Sequence, residues 1–456
     1  MYQKTYHIHF IGIGGIGMSG IAELLLNLGY RVSGSDIRTS EITERLQRLG
    51  ATIYKGHSDE HVKGANVVVV SSAIRPENPE LVAARAALIP IIPRAEMLAE
   101  LMRIKYGIAV AGAHGKTTTT SIIGAILEEA GFDPTMVVGG RLNSLGTNAR
   151  LGEGDFIVAE ADESDGSFLK LSPTVAVVTN IDLEHLDFYQ DIDQIKGVFL
   201  DFINKVPFYG VSILCLDDEH IQDLIPKIEK RYVTYGLTPQ ADLQVTKIVF
   251  QGFKSRYSVS WRGNEIGRIE LNLPGMHSIY NSLAGIAVAK ELEIPFHVIK
   301  KALKNLEGVE RRLQIKGVLN GVTVIDDYGH HPTEIKATLK TLRTCWPNHR
   351  LVVVFQPHRY TRTAALFKDF TRAFYQADKL IVLPIYPAGE SPIDGISGQL
   401  LYEGIMKHGH KHVVFIERIE DVVPFLHASL QPGDILLTLG AGNIWRVGDE
   451  FLNGVS

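Results

Sequence analysis

Short apolar runs alternate along the chain with amphipathic stretches of helical period. IHFIG is followed by MSGIAELLLNLG, and NVVVVSS by ENPELVAARAAL, with each apolar run stopping at Gly, Asp or Ser. That alternation predicts parallel sheets with helices on both faces. A first unit closes near residues 94–105, where RAEMLAELMRIKY leads into a fresh strand, Ile108–Ala111. The second unit carries strands near 156–160, 175–179 and 212–216, and then an alternating stretch over 243–273 that reads as antiparallel. Helical patterning returns from Met276 to Leu292. A third unit starts at Val322–Asp326 and runs on through RLVVVF, KLIVLP, HVVFI and DILLTLG. The prediction is three α/β domains, at 1–105, 106–310 and 311–456.

The length of 456 residues agrees with three domains at about 150 residues each. An apolar fraction of 45% is enough for each to bury a core. A net charge of −5 does not favour nucleic acid or an anionic membrane as partner. Cys215 and Cys345 form no CxxC pair, so neither a disulfide framework nor a zinc–thiolate site is expected. MYQKTYHIHF has no apolar h-region, and runs such as Val67–Val70 are too short to cross a bilayer. A soluble, cytoplasmic protein with no membrane insertion is expected.

Two glycine loops carry the candidate chemistry. The first, Gly12-Ile-Gly14-Gly15-Ile-Gly17, follows a strand and opens a helix, and Asp36 ends the next strand. Such a loop lets a diphosphate approach backbone amides, while an acidic residue so placed suits a ribose. Taken alone it also fits a nicotinamide dehydrogenase. The second loop, IAVAGAHGKTTTT, is a shortened P-loop. Gly112 and Gly115 expose amides, Lys116 reaches β/γ oxygens and Thr117 offers a hydroxyl to Mg²⁺. DFIVAE then delivers Glu160 at a strand end, with Asp162, Glu163 and Asp165 just beyond. A carboxylate beside a P-loop suits a nucleotide-bound metal, although some of these four are simply solvated acids. TVAVVTN leads to Asn180, Glu184, His185 and Asp187 at another strand end, a candidate second metal site. Arg312, in GVERRL, stands at the second domain boundary: a γ-phosphate contact or a linker charge. DDYGHHP and QPHRYTRT end two strands of the third unit, where open α/β sheets bind ligands.

In order, HFIGIGGIGMSGIA, AGAHGKTTTT, AEADESDGSF, TNIDLEHLD, PGMHSIYN, GVERRL, DDYGHHPTEI and QPHRYTRT resemble the Mur ligases over essentially the whole chain. The resemblance implies a Rossmann-like UDP-binding domain, a P-loop ATPase-like central domain and a Rossmann-like C-terminal domain. It implies ATP-dependent joining of L-alanine to the lactyl carboxylate of UDP-N-acetylmuramate through an acyl phosphate, in peptidoglycan precursor synthesis. Gly14, Gly15, Gly17, Asp36, Ser71 and Ser72 would line the UDP-sugar site. Gly112, Ala113, His114, Gly115, Lys116, Thr117 and Thr118 would hold ATP, with His277 and Asn281 against adenine, Asp327 on the ribose and Arg312 on the γ-phosphate. Thr117, Glu160 and His185 would serve Mg²⁺. Tyr328, His330, Arg359 and Arg362 would surround the amino acid. Lys116, His185 and Arg312 are the expected catalytic groups, and Glu184, His185, His330 or His331 would take the amine proton. Ala113 stands where the family carries Thr, which matters little because only its amide need face phosphate. No lysine matches the carbamylated one of some members. A recycling ligase that attaches a preformed murein tripeptide is the alternative within the family; a non-catalytic nucleotide sensor would leave two phosphate loops without purpose. A monomer or homodimer is expected.

Overall fold

The computed structural model describes residues 6–71, 73–103, 105–142, 147–163, 166–183, 188–306 and 308–454. Three sheets organise them. The first has strands β1 (His7–Ile11), β2 (Arg31–Asp36), β3 (Thr52–Lys55), β4 (Val67–Val70) and β5 (Ile91–Pro93), all parallel in the order β3-β2-β1-β4-β5. The order reverses beside β1, which puts the switch point at the first glycine loop, where such sheets bind ligands.

The second sheet has ten strands: β6 (Tyr106–Ala111), β7 (Thr135–Leu142), β8 (Thr147–Arg150), β9 (Phe156–Glu160), β10 (Val175–Val178), β11 (Val211–Cys215), β12 (Tyr232–Gly236), β13 (Leu243–Gln251), β14 (Lys254–Trp261) and β15 (Asn264–Leu271). Their order is β15-β14-β13-β12-β11-β10-β6-β9-β7-β8, with β6 in parallel register between β10 and β9. Ile108–Ala111 on β6 and Val158 and Ala159 on β9 are fully buried, as strands covered on both faces should be.

The third sheet has β16 (Gln314–Leu319), β17 (Val322–Asp327), β18 (Leu351–Phe355), β19 (Lys379–Val382), β20 (Val413–Phe415) and β21 (Ile435–Leu439) in the order β16-β17-β21-β18-β19-β20. Only β16 pairs antiparallel. Alternate residues feed two cores: Ile325, Val353 and Leu437 on one face, Val324, Val352 and Leu436 on the other. A period of two thus builds two apolar layers from one sheet.

The chain divides into two compact units, Met1–Ile248 with Tyr257–Glu270 and Tyr280–Glu307, and Val249–Arg256 with Leu271–Ile279 and Gly308–Ser456. Both cysteines are free thiols. No helix among the described residues is long and apolar enough to cross a membrane.

Candidate active site

In the first unit, β1 ends at the glycine loop, and Gly15 caps the helix Ile16–Asn27 with no side-chain cap bond. Gly12 adopts φ +82°, and its amide and that of Ile13 donate to the Ser35 carbonyl at 2.8 and 3.0 Å. Gly14 N donates to Asp36 Oδ2 at 2.9 Å, and a Cβ on Gly14 would lie 2.8 Å from the same oxygen. Asp36 therefore holds the loop's backbone against the end of β2. At the start of the helix, Gly15 N donates to the Gly12 carbonyl at 3.2 Å and Met18 N to the Gly15 carbonyl at 3.0 Å. Beside it, a cavity of about 250 Å³ is lined by Val70, Ser71, Ile74, Arg85 and Arg94 among others. Ser72 lies outside the described residues.

The second loop follows β6. Gly112 and Gly115 adopt φ +134° and +85°, and Gly115 caps the helix Lys116–Glu129. The end of β10 clamps this loop. Ala113 N donates to the Asn180 carbonyl at 3.2 Å, His114 N to Asn180 Oδ1 at 2.8 Å, and Asn180 Nδ2 to the His114 carbonyl at 2.9 Å. Thr179 Oγ1 donates to the same carbonyl at 2.7 Å, and His114 Nε2 lies 3.1 Å from Asp182 Oδ2. Asn281 packs against the loop, since a Cβ on Gly115 would lie 2.5 Å from its Oδ1. This places the amide at the phosphate end of the loop, a contact the sequence did not indicate.

Lys116 Nζ donates to the Gly112 carbonyl at 2.6 Å and to Glu163 Oε1 at 2.7 Å, with Glu163 buried. The lysine is thereby folded back over its own loop. Thr117 and Thr118 are half-buried in the first helical turn, whereas Thr119 and Thr120 point into the core. Glu160 pairs with Val110 in register, which sets its carboxylate at the same sheet edge as the loop. A hydroxyl and a carboxylate are hard oxygen donors of the kind Mg²⁺ takes, so Thr117 and Glu160 fit that ion. Asp165, Glu184, His185 and Asp187 lie outside the described residues.

In the second unit, Asp327 is buried and accepts from Leu313 N at 2.8 Å, Gly329 N at 2.9 Å and Thr338 Oγ1 at 3.1 Å. Burial raises its pKa to about 6, against the opposing Arg312 charge and the backbone donors. The Arg312 guanidinium lies 5.3 Å from the Tyr328 ring centre and 3.5 Å from Glu334 Oε1. Arg311 covers the same ring at 5.0 Å while donating to Asp326 Oδ2 at 2.9 Å and to the Gly440 carbonyl. Burial, and then the Arg312 charge, lower His277 to about 4.

Tyr328, His330 and Arg362 converge with two residues that the sequence did not single out. His358 stacks on Tyr386 at 5.5 Å and 9°, lies 6.0 Å from the His330 ring and accepts from Arg362 Nη1 at 3.2 Å. Burial is the main cause that lowers His330 to about 3 and His358 to about 4, with Arg362 adding to both. Both imidazoles are neutral at pH 7, and the positive charge there rests on the arginines. The strand-end rule could have found His358 and Tyr386, which follow β18 and β19. His331 caps the helix Pro332–Cys345 in a capping box with Glu334. Arg359 is the N-cap of the helix Tyr360–Ala365, at φ +71°, and Arg362 lies in the helix itself. A non-glycine residue held at that φ is strained, and such strain concentrates at functional sites.

Residues 7–106 match the family model described as the Mur ligase family, catalytic domain, 110–289 the Mur ligase middle domain, and 311–442 the Mur ligase, glutamate ligase domain. The chain is 62% identical over 452 residues to UDP-N-acetylmuramate–L-alanine ligase of Desulfatibacillum aliphaticivorans, covering 99% of each. It is 57% identical over 453 residues to the ligase of the same name from Geobacter sulfurreducens, covering 99% of this chain and 98% of that one. The crystal structure of UDP-N-acetylmuramate-alanine ligase from Thermotoga maritima matches with TM-score 0.84 and 29% identity over 98% of each chain. A murein peptide ligase from Psychrobacter arcticus shares the fold, with TM-score 0.72 and 24% identity over 98% of each.

Proposed function

The chain belongs to the Mur ligase family and has its three-domain architecture, and from that premise we infer its reaction. It is an ATP-dependent ligase that joins L-alanine to the lactyl carboxylate of UDP-N-acetylmuramate in peptidoglycan synthesis. The observation that carries this reading over tripeptide recycling is the 62% identity, end to end, with a curated alanine ligase. Residues 1–105, 106–310 and 311–456 take the UDP-sugar, ATP and the amino acid. ATP and a nucleotide-activated sugar as substrates favour the cytoplasm.

A carboxylate is a poor acyl donor because oxide would have to leave. The γ-phosphoryl of ATP passes to a lactyl carboxylate oxygen, and ADP departs. The alanine amine then attacks the acyl carbon, and phosphate leaves carrying that oxygen. The protein's work is positioning and charge neutralisation. The 112–118 loop cradles the phosphates, and Lys116 swings from Glu163 onto them. Thr117 and Glu160, with His185, would hold Mg²⁺, which would supply charge compensation for the phosphates. Arg312 meets the γ-phosphate, Asp327 the ribose and His277 the adenine side, while Asn281 packs on the phosphate loop beside Gly115. Arg359 and Arg362 hold the alanine carboxylate beside Tyr328 and His330. His330 is too weak a base to take the amine proton and His331 serves as a helix cap, which favours Glu184 or His185 for that step.

The test is an amino-acid panel with UDP-N-acetylmuramate, Mg²⁺ and ATP, read by phosphate release and product mass. L-alanine should give equimolar ADP, phosphate and alanyl product; turnover with the murein tripeptide alone would overturn the reading. Arg359→Lys and Arg362→Lys keep the charge but lose the guanidinium fork. Each should raise the KM for L-alanine about tenfold, leaving the KM for ATP within about twofold. Losses confined to ATP or the UDP-sugar would put the alanine pocket in the wrong place.

A further inference from the structure

In the second unit, one bridge joins two segments that each hold a strained residue. Arg359 lies beyond β18 at φ +71°, and Ala388 lies beyond β19 at φ +48°, next to Gly389 at φ +89°. The bridge pairs His358 with Tyr386. Arg359 N donates to the Tyr386 carbonyl at 2.9 Å, and Tyr386 N to the Pro357 carbonyl at 2.8 Å. A side chain at positive φ costs energy, so surrounding contacts must hold it there. Around Ala388 those contacts are not a core, because Pro387, Ala388 and Gly389 are exposed. What the turn achieves is the aim of Glu390. The Glu390 amide donates back to the Pro387 carbonyl at 2.9 Å, and the carboxylate reaches the start of the helix Tyr360–Ala365. Oε2 accepts from Thr361 N at 3.1 Å, and Oε1 from Thr361 Oγ1 at 2.7 Å.

That helix has six residues, and its N-cap, Arg359, makes no side-chain cap bond. Its first amides are left to a group from elsewhere, and a carboxylate suits them in hydrogen bonding and in charge. Burial would push the Glu390 carboxyl up, but the Thr361 and Tyr360 donors and the Arg359 charge hold it below the usual carboxylate range. The bridge fixes the Arg359 amide and the carboxylate fixes Thr361, so the backbone of Arg359 has little freedom left. We propose that Glu390 is a positioning residue for the amino acid: it holds Arg359 in the conformation from which the guanidinium meets the α-carboxylate of L-alanine. Glu390 itself touches no substrate. This rests on the reading that Arg359 holds that carboxylate.

The experiment is steady-state kinetics and thermal melting of the full chain carrying Glu390→Ala, Glu390→Gln, Arg359→Ala, or Glu390→Ala and Arg359→Ala together. Glu390→Ala should raise the KM for L-alanine about tenfold, with the KM for ATP and the kcat at saturating alanine within about twofold. Glu390→Gln keeps one carbonyl acceptor and should recover part of that loss. In the double variant the KM for L-alanine should match that of Arg359→Ala within about twofold, because a residue acting through Arg359 has nothing left to position. All four should melt near the wild type, since the turn is exposed. The proposal is overturned if Glu390→Ala leaves the KM for L-alanine unchanged, or if the two single effects multiply in the double variant. It is also overturned if melting falls and every KM rises together, the mark of a structural role. An Arg359→Ala variant with a normal KM for L-alanine would instead refute the alanine-site reading beneath the proposal.

Discussion

Lys116→Ala lowers turnover about 10²–10³-fold, the loss typical when a charge aimed at the transition state is removed. No other lysine or arginine lies in the 112–118 loop to replace it. The substitution also strips Glu163, a buried carboxylate 2.7 Å away, of its cation, and that alone destabilises the fold. Lys116→Arg separates the two effects, because it keeps a charge beside Glu163 while changing the reach and shape of the head group. Thermal melting and steady-state kinetics on both variants check the account. The arginine variant should melt near the wild type and still turn over slowly. An alanine variant with near-normal turnover would remove Lys116 from the ATP site.

Glu80→Ala produces the largest loss of stability, about 3–5 kcal/mol, or a melting shift of roughly 10 °C. Glu80 is 0% exposed. It accepts from Ser35 Oγ at 2.6 Å, lies 2.6 Å from His61 Nδ1 and 3.3 Å from His57 Nδ1, and has His9 Nε2 at 3.7 Å. Burial alone would push its carboxyl up, but His9, Ser35 and His61 together hold it down at about 2. A depressed carboxyl pKa contributes stability above its unfolded value, near 4.5, and loses it as the pH falls toward 2. The wild type should therefore shed about 3 kcal/mol over that interval that Glu80→Gln does not. Chemical denaturation at pH 7 and at pH 3, where about 2 kcal/mol of it should already be gone, checks this. Parallel pH profiles for the two proteins would mean that Glu80 carries no ionised-state stability. The network also reaches the first glycine loop, because the Ser35 carbonyl receives the Gly12 and Ile13 amides.

The parts legible in the sequence were those whose signal is local. The apolar run Ile108–Ala111 followed by GAHGKT marks a strand, a loop and a helix within a dozen residues, and the structure has them there. Asp36 was legible as the acidic end of β2, although its carboxylate holds the Gly14 amide. The Glu80 network was not. His7, His9, Ser33, Ser35, His57 and His61 are ordinary polar residues spread over fifty positions, and only the order β3-β2-β1 gathers them. Residues 7 and 9 share a face of β1 by the period of two, but nothing in that period shows what they face. Arg359 was a candidate from its motif, but its backbone conformation was not legible, because a positive φ at a non-glycine residue is imposed by tertiary contacts and has no local signature.

The most direct measurement labels both lactyl carboxylate oxygens of UDP-N-acetylmuramate with ¹⁸O and follows them through one turnover with ATP, Mg²⁺ and L-alanine. If the carboxylate is activated as an acyl phosphate, each released phosphate carries one ¹⁸O, the amide product keeps the other, and ADP carries none. Unlabelled phosphate, with both labels left on the sugar, would show that ATP is hydrolysed without activating the carboxylate, and would contradict the ligase mechanism at its first step.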